Sequence, residues 1–152
     1  MPWLETKIPP PIVALICAAL AWLIQPYWQL GINQQIAQIV MALGLAKGVG
    51  LDLLAIGHMY RIKTTINPLT PDRASQLVTT GIYRFTRNPM YLSLAIYLTC
   101  LGIWFDSGAS LMMVPVFVLY INRMQIRPEE RSLLKLFGQP YVDYCKKVGR
   151  WF

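Results

Sequence analysis

Four apolar stretches of roughly membrane-spanning length, packed into 152 residues, constrain this chain more than any other feature of its sequence. A helix that crosses a bilayer core needs about 20 consecutive, mostly apolar residues. Four such helices would use about 80 positions, and 55% of the chain is apolar against only 14% charged. That is more apolar surface than one soluble core of this length buries. The balance points to an all-α integral membrane protein of about four transmembrane helices in one domain, 1–152. It argues against disorder, a disulfide-stapled secreted module and a soluble two-domain enzyme.

The spans are expected at about 11–30, 36–60, 89–105 and 109–126. The first closes in Pro26, Tyr27 and Trp28, whose amphipathic rings suit the headgroup level. Its apolar start has the length of a signal-peptide core, but one lysine precedes it and no small-residue cleavage site follows, so it reads as a retained span. The second carries Gly44 and Gly48 at the small-xxx-small spacing that lets helices approach closely. This predicts packing on another helix and offers a face for a homo-oligomer. Asp106, Ser107 and Gly108 supply a tight turn between the third and fourth spans.

Basic residues set the orientation. Arg61, Lys63, Arg73, Arg84 and Arg87 fall in the loop 61–88, and Arg123, Arg127, Arg131, Lys135, Lys146, Lys147 and Arg150 follow or end the fourth span. The two opposite turns have none, so both termini, the loop and the tail 127–152 are expected in the cytoplasm. The net charge of +7 is thus read as orientation within membrane lipids, not as a nucleic-acid footprint. Cys17, Cys100 and Cys145 lie far apart without CxxC spacing or clustered histidines, which predicts no metal site.

The chemistry is expected at the cytoplasmic face. In Arg87-Asn88-Pro89-Met90-Tyr91, proline opens a helix and the asparagine before it is placed to cap it. The same geometry suits a small carboxylate or phosphate. Arg127-Pro128-Glu129-Glu130 repeats that pattern, with two adjacent carboxylates in a first turn that must find cations. Further along, Tyr141, Tyr144 and Val148 form an i, i+3, i+7 stripe in a pair of interfacial helices. Lys47, Asp52 and His58 fall in or near the second span, where ionisable groups are costly and are functional candidates by default. His58, alone and near the interface, reads as a hydrogen-bonded structural residue.

The ordered series Thr65-Ile66-Asn67-Pro68, Gln76-Leu77-Val78-Thr79-Thr80-Gly81-Ile82-Tyr83-Arg84, Arg87-Asn88-Pro89-Met90-Tyr91, Glu129-Glu130, Phe137-Gly138 and Tyr141 resembles the isoprenylcysteine carboxyl methyltransferase family, which is related to the phospholipid methyltransferases. The resemblance covers residues 64–152. It implies S-adenosylmethionine as cofactor and methyl donor, a lipophilic acceptor and a bacterial inner membrane; the short, tilted spans beside a polar site lead to the expectation that the acceptor arrives laterally from the bilayer. By position, Ser75, Gln76, Leu77, Val78 and Tyr83 would border the donor, while Asn88, Pro89, Met90 and Tyr91 occupy the family's Arg-His-Pro-x-Tyr motif after Arg87. Glu129 would hold the donor, with Glu130 beside it. Eukaryotic members have an arginine, thought to meet the substrate carboxylate, where this chain has Gln125; Arg123 or Arg127 is the candidate replacement. The acceptor is therefore left open among a carboxylate, an amine and a thiol. The rival readings are a non-catalytic four-span transporter or binding subunit using Asp52 and Lys47, and a nicotinamide-dependent enzyme with the similar architecture of the membrane sterol reductases.

Overall fold

The computed structural model describes residues 7–62 and 77–152, and among these it contains helices and turns but no strand. Helix α1 (Pro10–Ile24) opens with proline at its first position, where the missing N–H costs nothing. It stops short of the expected Leu30, because Pro26 has no N–H to donate and its ring opposes a continuing helix. Helix α2 (Gln34–Ile62) and helix α3 (Pro89–Trp104) follow, and among the described residues between them lies a 3-10 turn, Gly81–Arg84. Helices α4 (Gly108–Leu111) and α5 (Met113–Ile121), a π-helical turn (Asn122–Ile126) and α6 (Arg127–Phe137) run end to end. Gly138, at φ 56, ends α6 in a conformation that suits glycine, and α7 (Gln139–Lys147) turns back.

Two helical rods, Gln34–Arg61 and Gly108–Phe137, are long and apolar enough to cross a membrane. Helices α1 and α3 are apolar but have 15 and 16 residues, about 22 to 24 Å of rise against a hydrocarbon core of about 30 Å. One core joins α1, α3 and α5 around Phe117 and Ile121, both fully buried. At one end, the turn after α1 and the turn after α3 are stitched together. The Asp106 carboxylate accepts from the Gly31 and Ile32 amides at 3.2 and 2.7 Å, and the Gly108 amide donates to the Trp28 carbonyl at 2.9 Å. Ser107 caps α4, and the Ser110 hydroxyl reaches the Ala21 carbonyl of α1 at 2.7 Å.

Helix α2 leans on α3 along its small residues. A Cβ at Gly44 would lie 2.0 Å from the Cys100 sulfur, and one at Gly48 would lie 2.2 Å from the Tyr97 ring. The expected helix–helix contact is therefore made within the chain, on the Gly44 and Gly48 face. Gly48→Val should cost about 2 to 3 kcal/mol, read as a lower denaturation midpoint in detergent, because overpacking there must push the two helices apart; an unchanged midpoint would mean that α2 is only loosely held.

Asp52 finds its partners on α3: the Ser93 hydroxyl at 2.5 Å and the Tyr97 hydroxyl at 3.0 Å. Lys47 lies on the exposed side of the same helix. The two residues share no pathway, so the transporter reading loses the feature that motivated it. His58 is hydrogen bonded to the Thr80 hydroxyl at 2.7 Å with its ring against Gly81, in the structural role expected of it.

Candidate active site

The start of α3, the start of α6 and the end of the chain meet at one place. Adjacent residues on a helix point about 100° apart, so the two neighbouring acids of α6 diverge. Glu129 faces α3 and accepts a hydrogen bond from the Tyr91 hydroxyl at 2.5 Å. Glu130 faces the tail, where Arg150 forks it with two bonds at 2.8 and 2.7 Å, and Arg87 reaches it at 2.9 Å. Fork geometry of this kind is the strongest form of carboxylate recognition. The expectation that both acids need cations thus divides: Glu130 has two guanidinium groups, while Glu129 pairs with no cation among the described residues.

That difference appears in their electrostatics. Burial pushes the Glu129 carboxyl up to about 7; the Tyr91 hydrogen bond opposes this, and the charge of Glu130 adds to it. The neighbouring Tyr83 hydroxyl is also raised, to about 12, by burial and by the charge of Glu129.

Two expectations about helix starts are corrected. Asn88 does not cap α3 with its side chain. Its amide group donates instead to the Arg150 carbonyl at 3.0 Å, while the Tyr91 and Leu92 amides use the Asn88 main-chain oxygen at 3.1 and 3.0 Å. Pro128 does not open a fresh helix either, because Ile126 before it is already helical and the Arg127 amide is taken by the Asn122 carbonyl. The wider π turn accommodates the proline without a break, so Glu129 and Glu130 face no free helix terminus.

The loop 86–88 is fixed by the tail. The Arg87 amide donates to the Gly149 carbonyl at 3.1 Å, the Thr86 hydroxyl donates to the Arg150 carbonyl at 3.2 Å, and the Tyr144 hydroxyl donates to the Tyr83 carbonyl at 2.7 Å. Tyr141, Tyr144 and Val148 form the expected buried stripe, with Leu77 packed against it, and Val78 packs with Ala55 and Tyr83. Pro89 is buried and Met90 is half-buried at the head of α3. Ser75, Gln76 and the Thr65–Pro68 motif fall outside the described residues.

Beside these contacts opens a cavity of about 750 Å³, within the range of small-molecule sites. Arg87 and Glu130 line it together with Arg127, Tyr141, Cys145 and Arg150. Of the two arginines offered as replacements at Gln125, only Arg127 lines this cavity; Arg123 is exposed elsewhere. Gln125 itself is buried, with its amide nitrogen on the Ile8 carbonyl at 2.6 Å and its oxygen without a partner.

A profile of the phospholipid methyltransferase family matches residues 36–140, most of the chain and both sides of this site. The chain belongs to the phospholipid methyltransferase family. It is 29% identical to protein-S-isoprenylcysteine O-methyltransferase B of Arabidopsis thaliana over 136 residues, 78% of this chain and 68% of the plant protein. It is 32% identical to the Saccharomyces cerevisiae protein-S-isoprenylcysteine O-methyltransferase over 81 residues, 48% of this chain and 30% of that protein. An uncharacterised Haemophilus influenzae protein is 40% identical over 62 residues, 41% of this chain and 98% of its own length. The resemblance read from the motifs thus holds, and the chain is a methyltransferase-family enzyme.

In this methyltransferase, sequence reasoning did not assign Arg150 or Cys145 to the site, and it gave Tyr141 only as a motif and stripe residue. The Arg87 guanidinium contacts the Cys145 sulfur at 2.7 Å and the Tyr141 hydroxyl at 3.4 Å. The tail arginines were counted for membrane orientation, and with Arg127 and Arg131 beside Glu130 in the sequence no local signal singles out Arg150, twenty residues away.

Proposed function

We propose that the chain transfers a methyl group from S-adenosylmethionine to a lipophilic acceptor at the cytoplasmic face of a bacterial inner membrane. Four spans are completed by the short helices α1 and α3, and the loop 61–88 and tail 127–152 lie on the cytoplasmic side. The observation that carries this reading is Glu129, a carboxylate in a desolvated place whose hydrogen-bond partner among the described residues is a tyrosine, one residue from Glu130 in the wall of a cavity lined with arginines. The donor has one carboxylate and two cationic centres, the ammonium and the sulfonium. Glu129 meets the cations, and Arg127 with Arg87 meets the carboxylate. Bound there, the donor supplies the activated methyl group.

The chain's own residues contribute by holding and drying the site. Tyr91 fixes one oxygen of Glu129 and leaves the other for the ligand. Orienting donor and acceptor in line is worth about 7 to 11 kcal/mol of the barrier in well-aligned systems. Positive charge disperses as the methyl leaves sulfur, so a partly apolar wall favours the transition state over the more concentrated charge of the ground state. The acceptor enters laterally from the bilayer past the short ends of α1 and α3. Gln125 presents no charge to a carboxylate, so an amine or thiol remains open as acceptor beside the carboxylate of the isoprenylcysteine enzymes.

Binding of labelled S-adenosylmethionine to the purified protein tests this reading, and pH sharpens it. A cation held by Glu129 needs the ionised carboxylate. With a value of about 7 in the free protein, that form rises between pH 6 and pH 7.5, and affinity should rise with it by about eightfold as a proton is released. A flat pH profile, or displacement of the label by a nicotinamide dinucleotide, would remove Glu129 from the donor site or replace the donor.

A further inference from the structure

We infer that Arg150 is a positioning residue of the donor site, tying its two halves into a fixed geometry through its side chain on one side and its main chain on the other. This rests on the donor-binding reading. The guanidinium of Arg150 forks Glu130 at the start of α6, at 2.8 and 2.7 Å. Its main-chain carbonyl accepts from the Asn88 amide group and the Thr86 hydroxyl, at 3.0 and 3.2 Å, just before α3. The adjacent residues complete the strap: Gly149 accepts from the Arg87 amide at 3.1 Å, and the Trp151 indole donates to the Asn122 side chain at 3.2 Å in the π turn.

The arrangement is more than a surface ion pair. An isolated exposed bridge contributes little, and the Arg150 side chain is 39% exposed. Here, however, the same residue grips one wall of the cavity through its side chain and the other through its backbone. Glu130, only 19% exposed, is also shared with Arg87. Holding Glu130 to the tail fixes the first turn of α6, and Glu129 is the preceding residue of that turn. The carboxylate that meets the donor is therefore aimed, through Glu130, by a residue that lines the cavity but commits its guanidinium to Glu130. Lysine cannot reproduce this, because an ammonium has the charge without the planar fork.

Arg150→Gln keeps the chain length and the main-chain carbonyl and removes only the fork. Isotherms for labelled S-adenosylmethionine should show affinity about 10- to 100-fold weaker than the wild type, as expected where a small misplacement costs productive geometry. Arg150→Lys should fall between the two. The isotherm midpoint reports folded molecules, so loss of some protein to unfolding lowers its amplitude and not its position. Glu130→Gln combined with Arg150→Gln should be no weaker than the worse single variant, because both break the same link. If the wild type binds the donor and Arg150→Gln binds it equally well, Arg150 only secures the tail and the inference is overturned; additive losses in the double variant would overturn it too. If the wild type itself binds no donor, the functional reading fails, and the role given to Arg150 falls with it.

Discussion

Glutamine in place of Glu129 should weaken donor binding about 10- to 100-fold while leaving the melting temperature at pH 8 unchanged or higher. The first half follows from charge. Hydrogen bonds to an ionised partner contribute about 1.5 to 3 kcal/mol, and glutamine keeps the shape and still accepts from the Tyr91 hydroxyl, so only the charge is lost. The second half follows from proton linkage. The Glu129 carboxyl is raised from 4.5 to about 7, so between those values the folded protein binds more protons than the unfolded chain. Stability therefore falls as pH rises through that window, and it stays lower above it. Removing the acid removes that penalty. A substitution that abolishes function without harming the fold marks a residue kept for its ligand. Isotherms and thermal denaturation at pH 8 decide the matter: retained affinity, or a loss matched by a falling melting temperature, would make Glu129 a structural acid.

The sequence carried the helical architecture further than it carried the wiring of the site. Apolar runs and local punctuation placed α2 and α3 within about two residues, because span length and Pro89 are local signals. Gly44 and Gly48 announced a close helix contact but not its partner, since an intramolecular and an intermolecular neighbour impose the same spacing. Asp52 reads from the sequence as a functional candidate for a similar reason: its partners, Ser93 and Tyr97, lie 41 and 45 residues away. At the site, the residues were named by motif while their contacts were not. Asn88 has the composition of a cap, yet its side chain follows the stronger claim of the tail carbonyl. Pro128 has the look of a helix start, yet a π turn, for which the sequence carries no simple periodic signal, runs straight through it.

Alanine in place of Glu130 should destabilise the protein by about 3 kcal/mol, through the cations it leaves behind. Removing one member of a buried ion cluster commonly costs about 3 to 5 kcal/mol. The lower end applies because the Arg150 side chain is 39% exposed and water screens that arm, whereas the Arg87 side chain is only 13% exposed. Arg87 already has a buried Nε without a partner, so its desolvation is incompletely offset even in the wild type. Without Glu130 its remaining contacts are the Cys145 sulfur and the Tyr141 hydroxyl, neither of which balances a charge. The cost should therefore depend on Arg87. Replacing Arg87 with methionine in the Glu130→Ala background should restore part of the lost stability, since an apolar side chain of similar length needs no counterion. Chemical denaturation of the two variants in detergent measures the difference. A loss below about 0.5 kcal/mol for Glu130→Ala, as for an exposed pair, or a double variant less stable than the single, would show that water and not Glu130 balances the Arg87 charge.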